Sequence, residues 1–197
     1  YKVEDLNGNG VWDHGEAGVQ GWYIELWLDG EPYDSTYTDG DGRFCFTSLT
    51  PGLYIIREGS NGQWYNTTVD HVEVEVVSGT AIDDVVFLNT KYGSICVYKF
   101  EDENGNGIRD EGEGTLVNGV LIELLLNGMV VRSGYTGECP CMCGGICFTG
   151  LVLGNYTVRE TVGEGWYNTT PANAIIDLNQ SGAHRSATFL NTRYGSV

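Results

Sequence analysis

The chain has 197 residues, 41% hydrophobic and 12% aromatic, enough to bury one large core or two small ones and too apolar for a disordered polypeptide. A formal net charge of −17 with only ten Lys and Arg argues against a nucleic-acid partner or an anionic membrane surface, both of which demand basic residues. No apolar run approaches the roughly 20 residues that span a bilayer, no signal peptide is evident, and 29 Gly among many Tyr, Thr and Val predict short strands joined by tight turns.

In chain order, "YKVED" reads as a strand leading into "DLNGNGVWDHGE" at Asp5 to Glu16. The next strand, "WYIELWLDG", alternates, with Trp22, Ile24, Leu26 and Leu28 on one face and Tyr23, Glu25 and Trp27 on the other. That second face is apolar enough to suggest packing against another domain or subunit. A "TDGDG" turn follows, then "RFCFTSLTPGLYIIRE", then "WYNTT" from Trp64 and "FLNTKYGS" from Phe87.

Every one of these strings returns. "DENGNGIRDEGE" begins at Asp102, "VLIELLLNG" at Val120, "GICFTGLVLGNYTVRE" at Gly145, "WYNTT" at Trp166 and "FLNTRYGS" at Phe189. The offset grows from 97 to 102 residues, placing an insertion of about five residues chiefly in "GECPCMCGG". The expected organisation is one repeat over 1–92, a second over 93–193, and 194–197 as the opening strand of a further repeat or a strand donated to a neighbour. This phase, with Tyr1 in place of Met, suggests a processed or excised segment of a longer array.

Both twelve-residue strings fit the calcium-loop pattern D-x-[DN]-x-[DN]-G-x5-E. Asp5, Asn7, Asn9, the Val11 carbonyl, Asp13 and Glu16 form the first expected Ca²⁺ ligand set, with Gly10 at the sharp turn. Asp102, Asn104, Asn106, Ile108, Asp110 and Glu113 form the second, with Gly107 at the turn. The flanking segments alternate with period two, so each loop joins strands and the ion is expected to clamp rather than switch.

Parity also predicts an expensive burial. Lys99 shares a face with Ile95 and Val97, Glu58 with Tyr54 and Ile56, Glu160 with Tyr156 and Val158; Asn89 follows Phe87 by two, as Asn191 follows Phe189. Lys2 is the counterpart of Lys99, and the chain holds only three Lys. Such groups are buried together only if they pair or react.

Six cysteines, Cys45, Cys96, Cys139, Cys141, Cys143 and Cys147, are expected to form disulfides of unknown connectivity, and thiolate metal binding is the weaker reading because the cluster lacks C-x2-C spacing. Cys45, Cys96 and Cys147 are opposite in parity to inward neighbours, which suits bridges between neighbouring sheets or subunits. Sequons at Asn66, Asn155, Asn168 and Asn179 are candidate glycosylation sites and favour an exported protein. His14, His71 and His184 are isolated, no nucleophile motif accompanies them, and the chain is not expected to be an enzyme.

Over essentially its whole length, the order "DxNGNGxxDxGExG", "TDGDGRFCFTSLTPGLYIIRE", a Trp-Tyr stretch and "FLNT" resembles tandem B-type repeats of surface adhesins, the SdrD B-like and Cna B-type group. The resemblance implies two tandem prealbumin-like (Ig-like) β-sandwich domains of about seven strands each, acting outside the cell as a calcium-stiffened stalk or assembly module. In Cna B-type domains a first-strand Lys, a middle-strand Glu and a last-strand Asn make a Lys–Asn isopeptide bond. The resemblance therefore implies Lys2–Asn89 assisted by Glu58 and Lys99–Asn191 assisted by Glu160, the alternative being a Lys–Glu ion pair. The second repeat departs from the pattern where "TDGDG" becomes "TGECPCMCGG", leaving any calcium contact of Asp39 or Asp41 without a counterpart. The expected role is a structural repeat of a self-assembling extracellular filament, sheath or surface layer, with copies of itself or neighbouring repeats as partners. The alternative is the stalk of a cell-surface adhesin whose ligand-binding domain lies elsewhere.

Overall fold

The computed structural model describes residues 1–138 and 145–195, and no helix occurs among them. Cys139, Cys141, Cys143 and the last two residues of the expected 194–197 strand lie outside the described residues; Tyr194 and Gly195 are not in a strand. The chain divides into two compact units, Tyr1–Tyr92 and Gly93–Val197.

In the first unit seven strands form two sheets. The order β1(Lys2–Glu4), β7(Phe87–Lys91), β5(Trp64–Asn66) makes one, and β3(Glu31–Tyr37), β2(Tyr23–Leu28), β4(Gly52–Glu58), β6(His71–Val76) the other. The second unit repeats this as β11(Ile146–Leu151), β8(Gly93–Glu101), β15(His184–Arg193), β13(Trp166–Asn168) and β10(Met129–Tyr135), β9(Leu121–Leu126), β12(Gly154–Thr161), β14(Asn173–Leu178). Each first strand runs parallel to the last strand of its unit, and every other pairing is antiparallel.

The alternation read from sequence becomes the core. Trp22, just ahead of β2, and Ile24 and Leu26 within it pack with Tyr54, Ile56, Val74 and Phe87, and Ile122 and Leu124 of β9 pack with Ile95, Val97, Tyr156, Val158 and Phe189. Each fully buried Ile or Leu of this set contributes about 1.5–3 kcal/mol. The β2–β3 hairpin turns through Asp29 and Gly30 at φ 53° and 83°, and β9–β10 through Asn127 and Gly128 at φ 52° and 79°. Two successive positive φ values match the right-handed strand twist, which explains why Asp-Gly and Asn-Gly occupy these positions.

The outer face of β2 is less bare than the alternation suggests. Trp27 is half-buried, donates to Glu25 at 3.1 Å and lies under the Arg57 guanidinium at 5.2 Å. Leu121 and Leu125 are likewise half-buried.

Cys96 and Cys147 form a disulfide, which corrects the expectation of bridges between sheets or subunits. The two residues sit directly opposite each other on antiparallel β8 and β11, so the ladder register brings their side chains together within one sheet. Cys45 is exposed and, among the described cysteines, free.

Candidate functional site

Each unit contains a buried Lys–Glu–Asn cluster beside its acidic loop. Lys2 on β1 and Asn89 on β7 come from adjacent parallel strands, while Glu58 reaches them from β4 of the facing sheet. Lys2 Nζ lies 2.9 Å from Glu58 Oε2, and Lys99 Nζ 3.0 Å from Glu160 Oε2. All six residues are buried, Lys2 and Lys99 completely.

These clusters are poorly satisfied. Both Lys Nζ atoms, Glu58 Oε2, both Glu160 carboxyl oxygens and Oδ1 of Asn89 and Asn191 lack a hydrogen-bond partner among the described residues. The Lys–Glu contacts are therefore close but misaligned for hydrogen bonding. Asn66, read from sequence only as a sequon, joins the first cluster: its Nδ2 donates to Glu58 Oε1 at 2.8 Å and its Oδ1 accepts from Asn89 Nδ2 at 3.5 Å. Its position two residues from Trp64 in a repeated string was the available signal, but nothing in the string indicates that its amide points to a carboxyl group.

Burial shapes the protonation chemistry. Desolvation lowers the Lys2 ammonium to about 8 against the opposing pull of Glu58, and lowers Lys99 in the same way against Glu160. Desolvation raises the carboxyl groups of Glu58 and Glu160, opposed by their lysines and by contacts with Asn89 and Asn191. A lysine moving toward the neutral amine beside a carboxyl group moving toward the acid, with a primary amide against that carboxyl group, is chemistry suited to acyl transfer from the amide to the amine.

The acidic loops sit directly against these clusters. The Asp5 amide donates to the Asn89 carbonyl at 2.9 Å, as Asp102 does to Asn191 at 2.8 Å. Asp5 is fully buried, and its two carboxyl oxygens accept from the amides of Gly8, Asn9 and Gly10 at 2.6–3.2 Å. Asp102 does the same for Gly105, Asn106 and Gly107. Glu16 folds back on the amides of Leu6 and Asp13, and Glu113 on those of Glu103 and Asp110. Gly10 and Gly107 have φ of 74° and 77°, and a Cβ on either would stand 2.9 Å from the carbonyl of Thr67 or Thr169. The loop thus seats on the "WYNTT" segment, which accounts physically for the joint recurrence of the two strings.

As a cation site the loop has a suitable donor set, all oxygen, with three carboxylates and two side-chain amides each. Asn7 and Asn9 both donate Nδ2 to Asp13 Oδ2, at 2.9 and 2.8 Å, and Asn104 and Asn106 both donate to Asp110 Oδ2 at 2.7 Å. These bonds hold the Asp13 carboxyl below its usual range, Asn7 contributing most. Three of the expected ligands of each loop therefore converge side by side, and a half-turn of each amide exchanges its nitrogen for its oxygen. Among the described residues, however, no three His, Cys, Asp or Glu gather at ion-binding distance, because Asp5 and Glu16 spend their oxygens on backbone amides. Val11 and Ile108 are exposed at the expected backbone-ligand position.

The remaining sequence candidates are dispersed. Asp39 accepts from the amides of Asp41 and Arg43 and so closes its own turn. His71 pairs with Asp70 at 2.7 Å, His184 with Ser94 at 2.5 Å, and His14 is exposed. Asn155 and Asn179 are exposed, Asn168 is half-buried, and no helix among the described residues is long and apolar enough to cross a membrane.

A family profile described as the SdrD B-like domain matches residues 1–83 and again 93–194. Serine-aspartate repeat-containing protein F of Staphylococcus epidermidis (strain ATCC 12228) is 29% identical over 188 residues, covering 86% of this chain and 11% of the relative. Serine-aspartate repeat-containing protein D of Staphylococcus aureus (strain Newman) is 29% identical over 185 residues, covering 86% and 14%. The chain thus spans between a tenth and a seventh of the length of these relatives. Among solved structures, the Bacillus anthracis TIE protein aligns with a TM-score of 0.45 at 17% identity, covering 98% of this chain and 33% of that one. A single B repeat unit of the collagen-binding surface protein of Staphylococcus aureus aligns at 0.35 and 16%, covering 98% and 96%. With matches at equivalent stretches of both units, together taking in most of the sequence, this chain belongs to the SdrD B-like domain family.

Proposed function

We propose that the two units are load-bearing structural modules of a self-assembling extracellular filament, sheath or surface layer, not an enzyme, and that each is fastened by a Lys–Asn isopeptide bond and a Ca²⁺-binding loop. The observation that carries this reading is the double occurrence of one composite device: a buried Lys–Glu–Asn cluster tied by a backbone hydrogen bond to an oxygen-rich loop. A device that joins the first strand of a sandwich to its last resists extension between the chain ends of each unit.

For the covalent step, neutral Lys2 or Lys99 attacks Cγ of Asn89 or Asn191. The Nζ–Cγ bond forms, the Cγ–Nδ2 bond breaks and ammonia leaves. Protonated Glu58 or Glu160 polarises the amide and supplies the proton for the leaving nitrogen, while the proton lost from Nζ restores the acid. Both sheets exclude water, which lowers the lysines and raises the share of neutral amine.

In the loops, Asp5, Asn7, Asn9, Val11, Asp13 and Glu16, and Asp102, Asn104, Asn106, Ile108, Asp110 and Glu113, would hold the ion. A bound Ca²⁺ offsets the repulsion among three carboxylates per loop and favours the folded state by mass action. The Cys96–Cys147 disulfide supports an oxidising compartment and hence a location outside the cytosol. Exposed Asn155 and Asn179 are the better glycan acceptors, whereas a glycan on Asn66 would compete with its bond to Glu58.

A second reading, the stalk of a cell-surface adhesin, is favoured by the small fraction of each relative that the chain spans, which leaves room for a recognition domain elsewhere. Negative-stain electron microscopy of the purified chain in millimolar calcium separates the two. Ordered polymers are expected for the filament module, and particles that remain monomeric at every concentration would overturn it in favour of the stalk.

A further inference from the structure

The two buried clusters share one layout and differ in one contact. Asn66 on β5 stands directly across the ladder from Asn89 on β7, and Asn168 on β13 stands directly across from Asn191 on β15. Directly paired residues share a face of the sheet, so each asparagine of the "WYNTT" strings is carried toward the buried amide beside it. In the first unit the contact is made. Asn66 Nδ2 donates to Glu58 Oε1 at 2.8 Å, and Asn66 Oδ1 accepts from Asn89 Nδ2 at 3.5 Å. In the second unit neither carboxyl oxygen of Glu160 has a hydrogen-bond partner among the described residues, Asn168 included.

The bridge gives the two oxygens of Glu58 separate tasks. Oε1 is held by Asn66, which fixes the plane of the carboxyl group and leaves Oε2 2.9 Å from Lys2 Nζ. The Asn89 amide is oriented as well. Its nitrogen, the leaving atom of the acyl transfer, is turned toward Asn66, while its Oδ1 has no partner among the described residues and is left open to the acid. A primary amide can present its oxygen and nitrogen in either sense, and holding the productive one before reaction removes that ordering from the barrier. Asn66 is itself exposed, so it adds little apolar burial, and the two hydrogen bonds are its main contribution to the cluster.

We propose that Asn66 is a positioning residue for formation of the Lys2–Asn89 bond, holding the Glu58 carboxyl group and the leaving nitrogen of Asn89 in place for the attack of Lys2. The inference rests on the isopeptide reading of the cluster. In the step that Asn66 serves, the Nζ–Cγ bond forms and the Cγ–Nδ2 bond breaks. One proton passes from Nζ by way of Glu58 to the leaving nitrogen, ammonia departs and Asn66 is unchanged.

The test follows both bonds in the full chain, recovered denatured from inclusion bodies, refolded by dilution and quenched in acid at intervals. Peptide mapping by mass assigns each lost ammonia to its Lys–Asn pair, and amide exchange of β2 and β4 reports the folding of the first unit. Asn66→Ala should slow the Lys2–Asn89 bond about tenfold, the worth of one hydrogen bond, with the exchange protection and the rate of the Lys99–Asn191 bond unchanged. Asn168→Ala should leave the Lys99–Asn191 rate as it is, a contrast that a packing role common to both asparagines does not produce. The positioning role is overturned, and the isopeptide reading kept, by any of three results: a wild-type rate in Asn66→Ala, a slowing that tracks lost exchange protection, or an equal slowing of the second bond by Asn168→Ala. A wild-type chain that loses no ammonia at Lys2 would overturn both.

Discussion

Asn191→Ala removes the acyl donor of the second cluster and leaves Lys99 and Glu160 in place. The bond it deletes would close a loop from residue 99 to residue 191, 92 residues apart, or nearly the whole second unit. Treated as loop-closure entropy removed from the unfolded chain, a crosslink of that span contributes about 4.6 kcal/mol, close to the upper end for any single covalent staple. For a unit of this size the loss corresponds to a fall of roughly 20–35 °C in Tm. The assay is intact mass of the denatured, reduced and deglycosylated chain, followed by calorimetry. Wild type should fall short of the sequence mass by two ammonias and Asn191→Ala by one, with only the transition of the second unit moving to lower temperature. Glu160→Ala should give the same mass as an unbonded second unit, because without the acid neither the amide nor the leaving nitrogen is activated. A wild-type mass equal to the sequence mass would refute the reasoning, as would a crosslink that survives Glu160→Ala.

Calcium removal by chelator should lower both transitions reversibly, by about 2.7 kcal/mol when the ion was present at a hundred times its Kd, and Asp13→Asn with Asp110→Asn should remove that dependence; an unchanged Tm excludes the clamp. In Asn89→Ala the first unit keeps an unbonded Lys2, whose folded-state value of about 8 lies below its ordinary 10.5. The folded state then binds fewer protons than the unfolded chain between those values, so stability should rise from pH 8 to 10.5 by about 3 kcal/mol, measured by denaturant titration. In the bonded wild type Lys2 does not titrate, and that rise should be absent. Cys96→Ser opens a disulfide of sequence separation 51 and should cost about 2–4 kcal/mol in an Asn191→Ala background, with a smaller cost where the Lys99–Asn191 bond already constrains an overlapping loop.

What the sequence made legible were features that depend on period and repetition. Alternation of two placed Ile24, Leu26, Tyr54, Ile56, Ile95 and Val97 in the core, and the same parity argument put Lys99, Glu58 and Asn89 among them, where the structure buries them. The Asp29-Gly30 and Asn127-Gly128 turns were legible because few residues tolerate φ above zero twice in succession. Cross-strand information was not available in this way. The pairing of Cys96 with Cys147 follows from the β8–β11 register, which neither segment specifies alone, and outward parity by itself pointed to partners beyond the sheet. Asn66 shows the same limit, since its role depends on β5 lying beside β7 with Glu58 facing it from the other sheet.

The first unit shows the limit most clearly, because internal homology makes a controlled comparison. "RFCF" and "GICF" predict equal strands, yet only the second is one. Phe44 and Phe46 retain the apolar alternation of Ile146 and Phe148, so local propensity is not what differs. What differs is the pairing: Ile146, Cys147 and Phe148 pair with Val97, Cys96 and Ile95 of β8, whereas residues 43–47 carry no ladder. A strand is a property of a pair, because its backbone groups and its apolar face both need partners.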